Sequence, residues 1–148
     1  MNDRKVWAPP RSVRPLSIAL IRRAEEILVM AVRDSQGQIK GWRPPGGGIE
    51  FGESAEQAVV REIYEELSQP IICKQQVCVL ENIFSHEGQP GHEVVFVFEV
   101  EFSDHSAYAT EHYAYIDQGI ENDVVWISTA KFRDSTERLF PEHLRKYL

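Results

Sequence analysis

Carboxylates are concentrated between Gly47 and Gln69 at spacings that suit the binding of divalent cations. Glu62, Glu65 and Glu66 stand at i, i+3 and i+4, so a helix would place them on one face about 100° wide. Like charges at these spacings destabilise a helix by about 0.2–0.5 kcal/mol per pair. A bound cation would offset that cost, and carboxylate oxygens suit hard ions such as Mg²⁺, Mn²⁺ or Ca²⁺.

The residues around these glutamates decide between a metal site and a merely solvated acidic face. Three glycines, Gly46-Gly47-Gly48, precede the cluster, and glycine permits backbone conformations that are closed to other residues. Glu53 adds a carboxylate from the loop, and Arg61 stands next to the acidic set. A solvated face explains three glutamates on a helix, but it does not explain this combination, so we favour the metal site.

The glutamates belong to a helix that we expect over Ser54 to Ser68. Ser54 is a good N-cap, and Gln57 three residues later completes a capping box. Apolar residues recur every fourth position and predict one buried stripe, formed by Ala55, Val59, Ile63 and Leu67. Pro70 then ends the helix.

Two strands are predicted before the helix, at Leu16–Arg22 and Ile27–Arg33, with Ala24-Glu25 as the turn of a hairpin. Asp34 to Gly41 is polar and is predicted to be a loop. The prolines make Trp42 to Pro45 extended.

Further strands are predicted after the helix. Ile71–Phe84 contains one or two, and His92–Phe102 is apolar on both faces, which indicates burial on both sides. Ser103–Gly119 has no clean period. The remaining elements are a strand at Val124–Ile127, a helical turn near Ser128–Phe132 and a helix at Pro141–Tyr147. Strands on either side of one central helix favour an α/β fold with a mixed sheet covered by helices.

Composition and charge restrict the class of protein. The chain of 148 residues is 43% hydrophobic with a formal net charge of −7, which suits one globular domain over 1–148 and provides no basic surface for long nucleic acids. The sequence contains no apolar run of about 18 residues, so no membrane span is predicted. Met1 to Val13 mixes charges and prolines, so we interpret it as a short arm on a cytoplasmic protein.

Two cysteines, Cys73 and Cys78, are five positions apart in a strand-like stretch, so we expect their side chains on opposite faces of a strand. No second cysteine pair or histidine cluster completes a zinc pattern, and we expect reduced thiols.

The stretch from Gly47 to Gln69 resembles the Nudix box, G-x5-E-x7-R-E-U-x-E-E-x-G-U with U apolar. Every position through Glu66 matches. Ser68 stands where the family has glycine, and Gln69 where it has an apolar residue. Because glycine at a helix exit usually provides a left-handed cap, these departures concern the local turn and not the charged residues.

The resemblance implies a Nudix-like α/β/α sandwich with a central mixed sheet, and a metal-dependent pyrophosphohydrolase. Glu62, Glu65 and Glu66 would hold Mg²⁺ or Mn²⁺, with help from a backbone carbonyl at Gly46 or Gly47. Arg61 would orient the glutamates, and Glu53 would complete the site from the loop. Glu53, Arg61 and Glu65 are therefore our catalytic candidates. The metal would neutralise the diphosphate and activate water.

The general base stays open between Glu65 or Glu66 and a glutamate from a later loop, with Glu111 as the first candidate there and Glu93 as the second. Arg43 could meet a phosphate or form a structural salt bridge. Three aromatic residues could stack on a base or pack in the core: Trp42, Phe51 and Phe84.

The substrate is expected to be a small nucleoside diphosphate derivative, because the signatures typical of family subgroups are missing. Ser85 and His86 stand where ADP-ribose hydrolases tend to have a proline. Two other classes of function stay open: a non-catalytic nucleotide-binding module on the same fold, and a structural or calcium-binding protein. A homodimer is expected by analogy alone.

Overall fold

A computed structural model describes residues 7–117 and 120–148. Its centre is a mixed sheet of eight strands with the order β5-β6-β1-β2-β8-β7, in which β3 pairs with β2 and β4 with β1. The strands are β1 Val13–Arg23, β2 Glu26–Arg33, β3 Ile39–Arg43, β4 Gly46–Gly48, β5 Ile71–His86, β6 Gln89–Phe102, β7 His112–Asp117 and β8 Ile120–Ser128. The helices are α1 Ala55–Leu67, α2 Thr129–Arg133 and two 3₁₀ helices, His105–Ala109 and Glu142–Tyr147.

The sheet is covered on both faces, as the α/β/α prediction requires. Strand β1 runs parallel to β6, and its alternate residues enter two cores. Ala19 and Ile21 pack on the face that α1 covers, whereas Ile18 and Leu20 pack on the face that holds Phe132 and Leu144. In the parts of the chain that the structure describes, no helix has the length and apolar character needed to cross a membrane.

Helix α1 has the ends that the sequence predicts. The Ser54 hydroxyl accepts from the Gln57 amide, and the Gln57 side chain accepts from the Ser54 amide. The stripe Val59, Ile63 and Leu67 is buried. At the exit, Ser68 has φ 55° and ψ 33°, so it adopts the left-handed conformation for which the family's glycine is suited.

Several predicted boundaries were wrong. Ile39–Gly41, predicted as loop, belongs to β3, since pairing with β2 overrides a weak local signal. Ile71–Phe84, where one or two strands are predicted, lies in one strand as expected, and that strand continues to His86. Ser103–Gly119, left unassigned, contains a 3₁₀ helix and β7, while Gln118 and Gly119 lie outside the described residues. The closing helix at Pro141–Tyr147 is 3₁₀. Residues 1–6 of the predicted arm also lie outside the described residues.

The hairpin between β5 and β6 has a turn of two residues. Its turn is Glu87-Gly88, with φ 49° and 78°, while Gln89 to Gly91 already belong to β6. Two positive φ values fit the right-handed twist of paired strands. Glu93, which was considered as a general base from a loop, therefore lies inside a strand.

The cysteines lie on opposite faces, as predicted. Cys73 packs against the core beneath α1 and Cys78 against the other core. Both are free thiols, and burial raises the pKa of each. The register of β5 against β6 shifts twice, once after Cys73 and again before Cys78.

The conformation of Ser68 predicts that Ser68→Gly stabilises the protein. Glycine removes the steric cost of a left-handed side chain but gives the unfolded chain more freedom, which leaves a net gain of about 0.5–1 kcal/mol. Thermal unfolding should show the melting temperature rising by about 1–4 °C. Ser54→Gly, at the other end of α1 with φ −75°, is the control and should not stabilise. An unchanged or lower melting temperature for Ser68→Gly would contradict the prediction.

Candidate functional site

The glycine strand β4 lies so close to its neighbours that side chains do not fit at two positions. A Cβ on Gly46, whose φ is +148°, would lie 2.2 Å from the carbonyl oxygen of Ser17 on β1. A Cβ on Gly47 would lie 2.5–2.7 Å from the carboxylate of Glu62 on α1. Glycine therefore lets the backbone of β4 approach the carboxylates of the helix directly.

Arg61 connects the loop and the helix at the centre of the site. Its Nε and one terminal nitrogen donate to the two carboxylate oxygens of Glu53 at 2.8 and 2.9 Å. The other terminal nitrogen donates to Glu62 at 2.9 Å and approaches Glu65 at 3.3 Å. The carbonyl oxygen of Gly48 accepts another bond, 2.9 Å long. This is the bidentate geometry in which arginine binds carboxylates most strongly.

The ion pair with Arg61 decides what Glu53 can do. Hydrogen bonding from the Arg61 guanidinium lowers the pKa of Glu53 from 4.5 to about 2, and the amide of Glu50 adds to the effect. The same contact raises the pKa of Arg61 above its ordinary value. A carboxylate with so low a pKa is a poor proton acceptor near neutral pH. The geometry therefore suits Glu53 to positioning Arg61.

The other glutamates of α1 differ in exposure. Glu66 is 7% exposed and accepts a hydrogen bond from the backbone amide of Gly46 at 3.2 Å. Glu65 has 57% of its side chain exposed, and its contacts with Arg61, at 3.3 and 3.4 Å, are longer than those of Glu53 and Glu62. Among Glu62, Glu65 and Glu66, Glu65 is thus the carboxylate that is held most loosely and is most accessible to a bound molecule.

The donor set fits a hard divalent cation. Glu53, Glu62 and Glu65 contact the guanidinium of Arg61. Glu50 approaches it at 3.8 Å, and Glu66 lies against the backbone amide of Gly46. Anionic charge therefore exceeds cationic charge in this cluster. All of these donors are oxygens, as Mg²⁺ and Mn²⁺ require. Within residues 7–117 and 120–148, no three acidic, histidine or cysteine side chains converge on one point, because Glu62 and Glu65 turn towards Arg61.

The two loop candidates for the general base lie elsewhere. Glu111 accepts hydrogen bonds from Arg23 at 2.8 and 3.1 Å. Ile18 is the residue of β1 that pairs with Gly46. Arg23 lies five residues further along β1, which corresponds to a distance of about 17 Å. Glu93 contacts Arg14 at 3.5 Å. Both side chains of that pair share the sheet face of Leu16, which is the face away from α1. The structure therefore brings neither glutamate to the carboxylate cluster.

Arg43 lies on β3 in register with Met30 and is half-buried. No carboxylate lies within 4.0 Å of its guanidinium in the described part of the chain, so the structural salt bridge that we considered is not found there.

The aromatic candidates divide into packed and exposed. Trp42 packs in the core away from α1, and its indole donates to Glu137 at 3.0 Å. Phe84 covers Gly91, where a Cβ would lie 2.3 Å from its ring. Phe51 is fully exposed in the loop between β4 and α1. Of the three, Phe51 is the most exposed, whereas Trp42 and Phe84 are half-buried.

The sequence interpretation missed Ser17 and the carbonyl of Gly48. The Ser17 hydroxyl donates to the Ala55 carbonyl at 2.7 Å, and the Gly48 carbonyl accepts from Arg61. Neither contact has a local signal, since a small polar residue in an apolar strand and a backbone oxygen carry no pattern. The single serine among the apolar residues of β1 is the one hint that the sequence contains.

Comparison with known proteins identifies the family. A sequence model of the NUDIX domain matches residues 13–144. A MutT NUDIX hydrolase from Burkholderia pseudomallei has 26% identity and a TM-score of 0.58, with 81% of this chain and 86% of that one covered. The E. coli ORF135 protein has 21% identity and a TM-score of 0.60, with coverages of 92% and 88%. A UDP-X diphosphatase has 19% identity and a TM-score of 0.61, with coverages of 95% and 61%.

The low pKa of Glu53 predicts a pH dependence of stability. Because the folded-state pKa of about 2 lies below the ordinary value of 4.5, the stabilisation from Glu53 is complete above pH 4.5 and is lost as the pH falls towards 2. Glu53→Gln should lower the melting temperature by a few degrees at pH 7, and the difference from the natural protein should shrink between pH 4.5 and 2. Glu56→Gln, which removes an exposed carboxylate from α1, should cost less at pH 7. A difference that is constant across this range would contradict the prediction.

Proposed function

We propose that this chain, which belongs to the Nudix family of pyrophosphohydrolases, uses Mg²⁺ or Mn²⁺ to hydrolyse a pyrophosphate bond. The bond would lie in a nucleoside diphosphate linked to another moiety. Enzymes of this family act on acid anhydrides in small nucleotide derivatives with the help of divalent metal ions. The observation that carries the proposal is the set of carboxylates held around Arg61 against the glycine strand. This arrangement presents excess anionic charge beside backbone groups, and a metal–diphosphate complex complements both.

We assign the metal to Glu62, Glu65 and Glu66, with the backbone carbonyls of Gly46 and Gly47 as further oxygen donors. When bound, the metal would neutralise charge on the diphosphate and activate water for attack. The assignment is supported by the glycine at position 47, which leaves room for the Glu62 carboxylate against β4. It is also supported by the burial of Glu66 beside Gly46, because a buried carboxylate gains most from a cation.

The side chains have separate roles in positioning, proton transfer and substrate binding. Glu53 and Arg61 hold each other and keep Glu62 and Glu65 in place. Glu65 accepts the proton of the attacking water, since it is the exposed and loosely held member of the set. Arg43, without a carboxylate partner in the described residues, meets a phosphate of the substrate. Water adds across the P–O–P linkage and yields two phosphate-bearing products, one of them a nucleoside monophosphate or another phosphate ester.

The proposal is tested by release of phosphate and monophosphate from a panel of substrates. The panel contains nucleoside triphosphates, dinucleoside polyphosphates, nucleotide sugars and ADP-ribose, each with Mg²⁺, with Mn²⁺ and with a chelator. For a substrate that is cleaved, Glu66→Gln should lower kcat by about 100-fold or more while the protein stays folded. Glu56→Gln is the matched control, since it removes an exposed carboxylate from the same helix, and it should retain activity.

The outcomes separate the two readings of the fold. Metal-dependent cleavage that Glu66→Gln abolishes supports the hydrolase and names its substrate class. If no compound is cleaved but one raises the melting temperature, the chain is instead a nucleotide-binding module. An unchanged rate for Glu66→Gln would refute the role of that residue.

Gly47 and Gly48 of β4 differ in the space around them, so they predict different effects of one added methyl group. Gly47→Ala should lower kcat by about 10–100-fold, because the new Cβ would displace the Glu62 carboxylate. Gly48→Ala is the control: a Cβ at Gly48 meets nothing within 4 Å, and the carbonyl that binds Arg61 is retained. Steady-state kinetics and melting temperatures of both variants check this. Equal losses in the two variants would show that the close approach of Gly47 to Glu62 does not matter.

A further inference from the structure

Ser17 is a polar residue in the middle of an apolar strand, and its side chain is completely buried. On the face of β1 that α1 covers, it precedes Ala19 and Ile21. The hydroxyl donates to the carbonyl oxygen of Ala55, the first residue of α1, at 2.7 Å. A carbonyl oxygen has two lone pairs, so this bond is made in addition to any bond within the helix.

The backbone of Ser17 contacts the other half of the site. Ser17 pairs with Gly47 in the antiparallel register of β1 and β4, and its carbonyl oxygen is the atom that excludes a side chain from Gly46. One residue therefore fixes β4 through its backbone and the start of α1 through its side chain. These are the two pieces of chain that must meet for Gly47 to lie against Glu62.

We propose that Ser17 is a positioning residue for the carboxylate site, because its hydroxyl sets the position of α1 relative to β4. The proposal rests on the proposed function. Glu62 lies seven residues beyond Ala55, which is about 10 Å along the helix axis. A small rotation of α1 at Ala55 would therefore move the carboxylates. A shift of a few tenths of an ångström there separates Glu62 from β4, and the reacting groups tolerate little misplacement.

The chain contains a matched control at Thr129. Its side chain is 3% exposed, and its hydroxyl donates to the carbonyl of Glu25, far away in sequence, at 3.1 Å. The same hydroxyl also accepts from Arg133 at 3.0 Å, so Thr129→Val removes at least as much hydrogen bonding as Ser17→Ala. The hydrogen bond to Glu25 lies at the turn between β1 and β2, away from the carboxylates. Ser17→Ala and Thr129→Val each remove one buried hydroxyl that bonds to a backbone carbonyl, so both should lower the melting temperature by about 2–4 °C.

Two measurements separate positioning from stability. In steady-state kinetics on the substrate found with the panel, Ser17→Ala should lower kcat by about 5–20-fold with KM changed by less than about twofold, while Thr129→Val keeps both. In titrations with Mn²⁺ alone, followed by electron paramagnetic resonance, Ser17→Ala should raise the Kd by about 3–10-fold and Thr129→Val should not. Ser17→Cys, with similar volume and a weaker donor, should lie between the natural protein and Ser17→Ala in both measurements.

The outcomes distinguish this proposal from the proposed function. If the natural protein cleaves its substrate but Ser17→Ala matches Thr129→Val in kcat and in Mn²⁺ affinity, Ser17 is merely structural and the proposal is wrong. If the natural protein cleaves nothing, the proposed function fails, and the Mn²⁺ titration alone decides the role of Ser17. If Ser17→Ala does not fold, Ser17→Cys takes its place, and values equal to those of Thr129→Val would overturn the proposal.

Discussion

The guanidinium of Arg61 joins the loop before α1 to the helix itself, since its donors bond to Glu53, Glu62, Glu65 and the carbonyl of Gly48. Without a cation between them, these carboxylates would repel one another across a few ångströms. Their charge can be gathered in one place because the arginine is planar and forms several bonds at fixed angles. The low pKa of Glu53 follows from this contact, and the bond to the Gly48 carbonyl ties β4 to the same guanidinium.

The sequence predicted the parts of the fold that depend on local interactions. The capping box at Ser54, the buried stripe of α1 and the left-handed exit at Ser68 are determined within a few residues of chain, and all are present. The short strands β3 and β7 were missed because each is stabilised by pairing with one neighbouring strand, β2 or β8, although its own residues have a weak preference for a strand. The 3₁₀ form of the last helix has no distinctive period in so short a segment.

The candidate site divides in the same way. Glu53, Arg61, Glu62, Glu65 and Glu66 lie on one loop and one helix, so their spacing predicted that they would meet, and the structure brings Glu53, Glu62 and Glu65 to Arg61. Glu111 and Glu93 could be placed only through the tertiary structure, which engages them with Arg23 and Arg14. The contribution of Ser17 could not be predicted for the same reason, because its partner Ala55 is 38 residues away.

The register shifts in β5 affect the tendency of the protein to aggregate. Strand β5 is 16 residues long and forms one edge of the sheet, and an edge of this length invites other chains to continue the ladder. Bulges bend and twist a strand, and two of them fall between Cys73 and Cys78 beside the charged Lys74. The uninterrupted length available to a neighbour is thereby cut to about half of the strand. The irregularity of β5 thus protects the protein against aggregation while leaving the pairing with β6 intact.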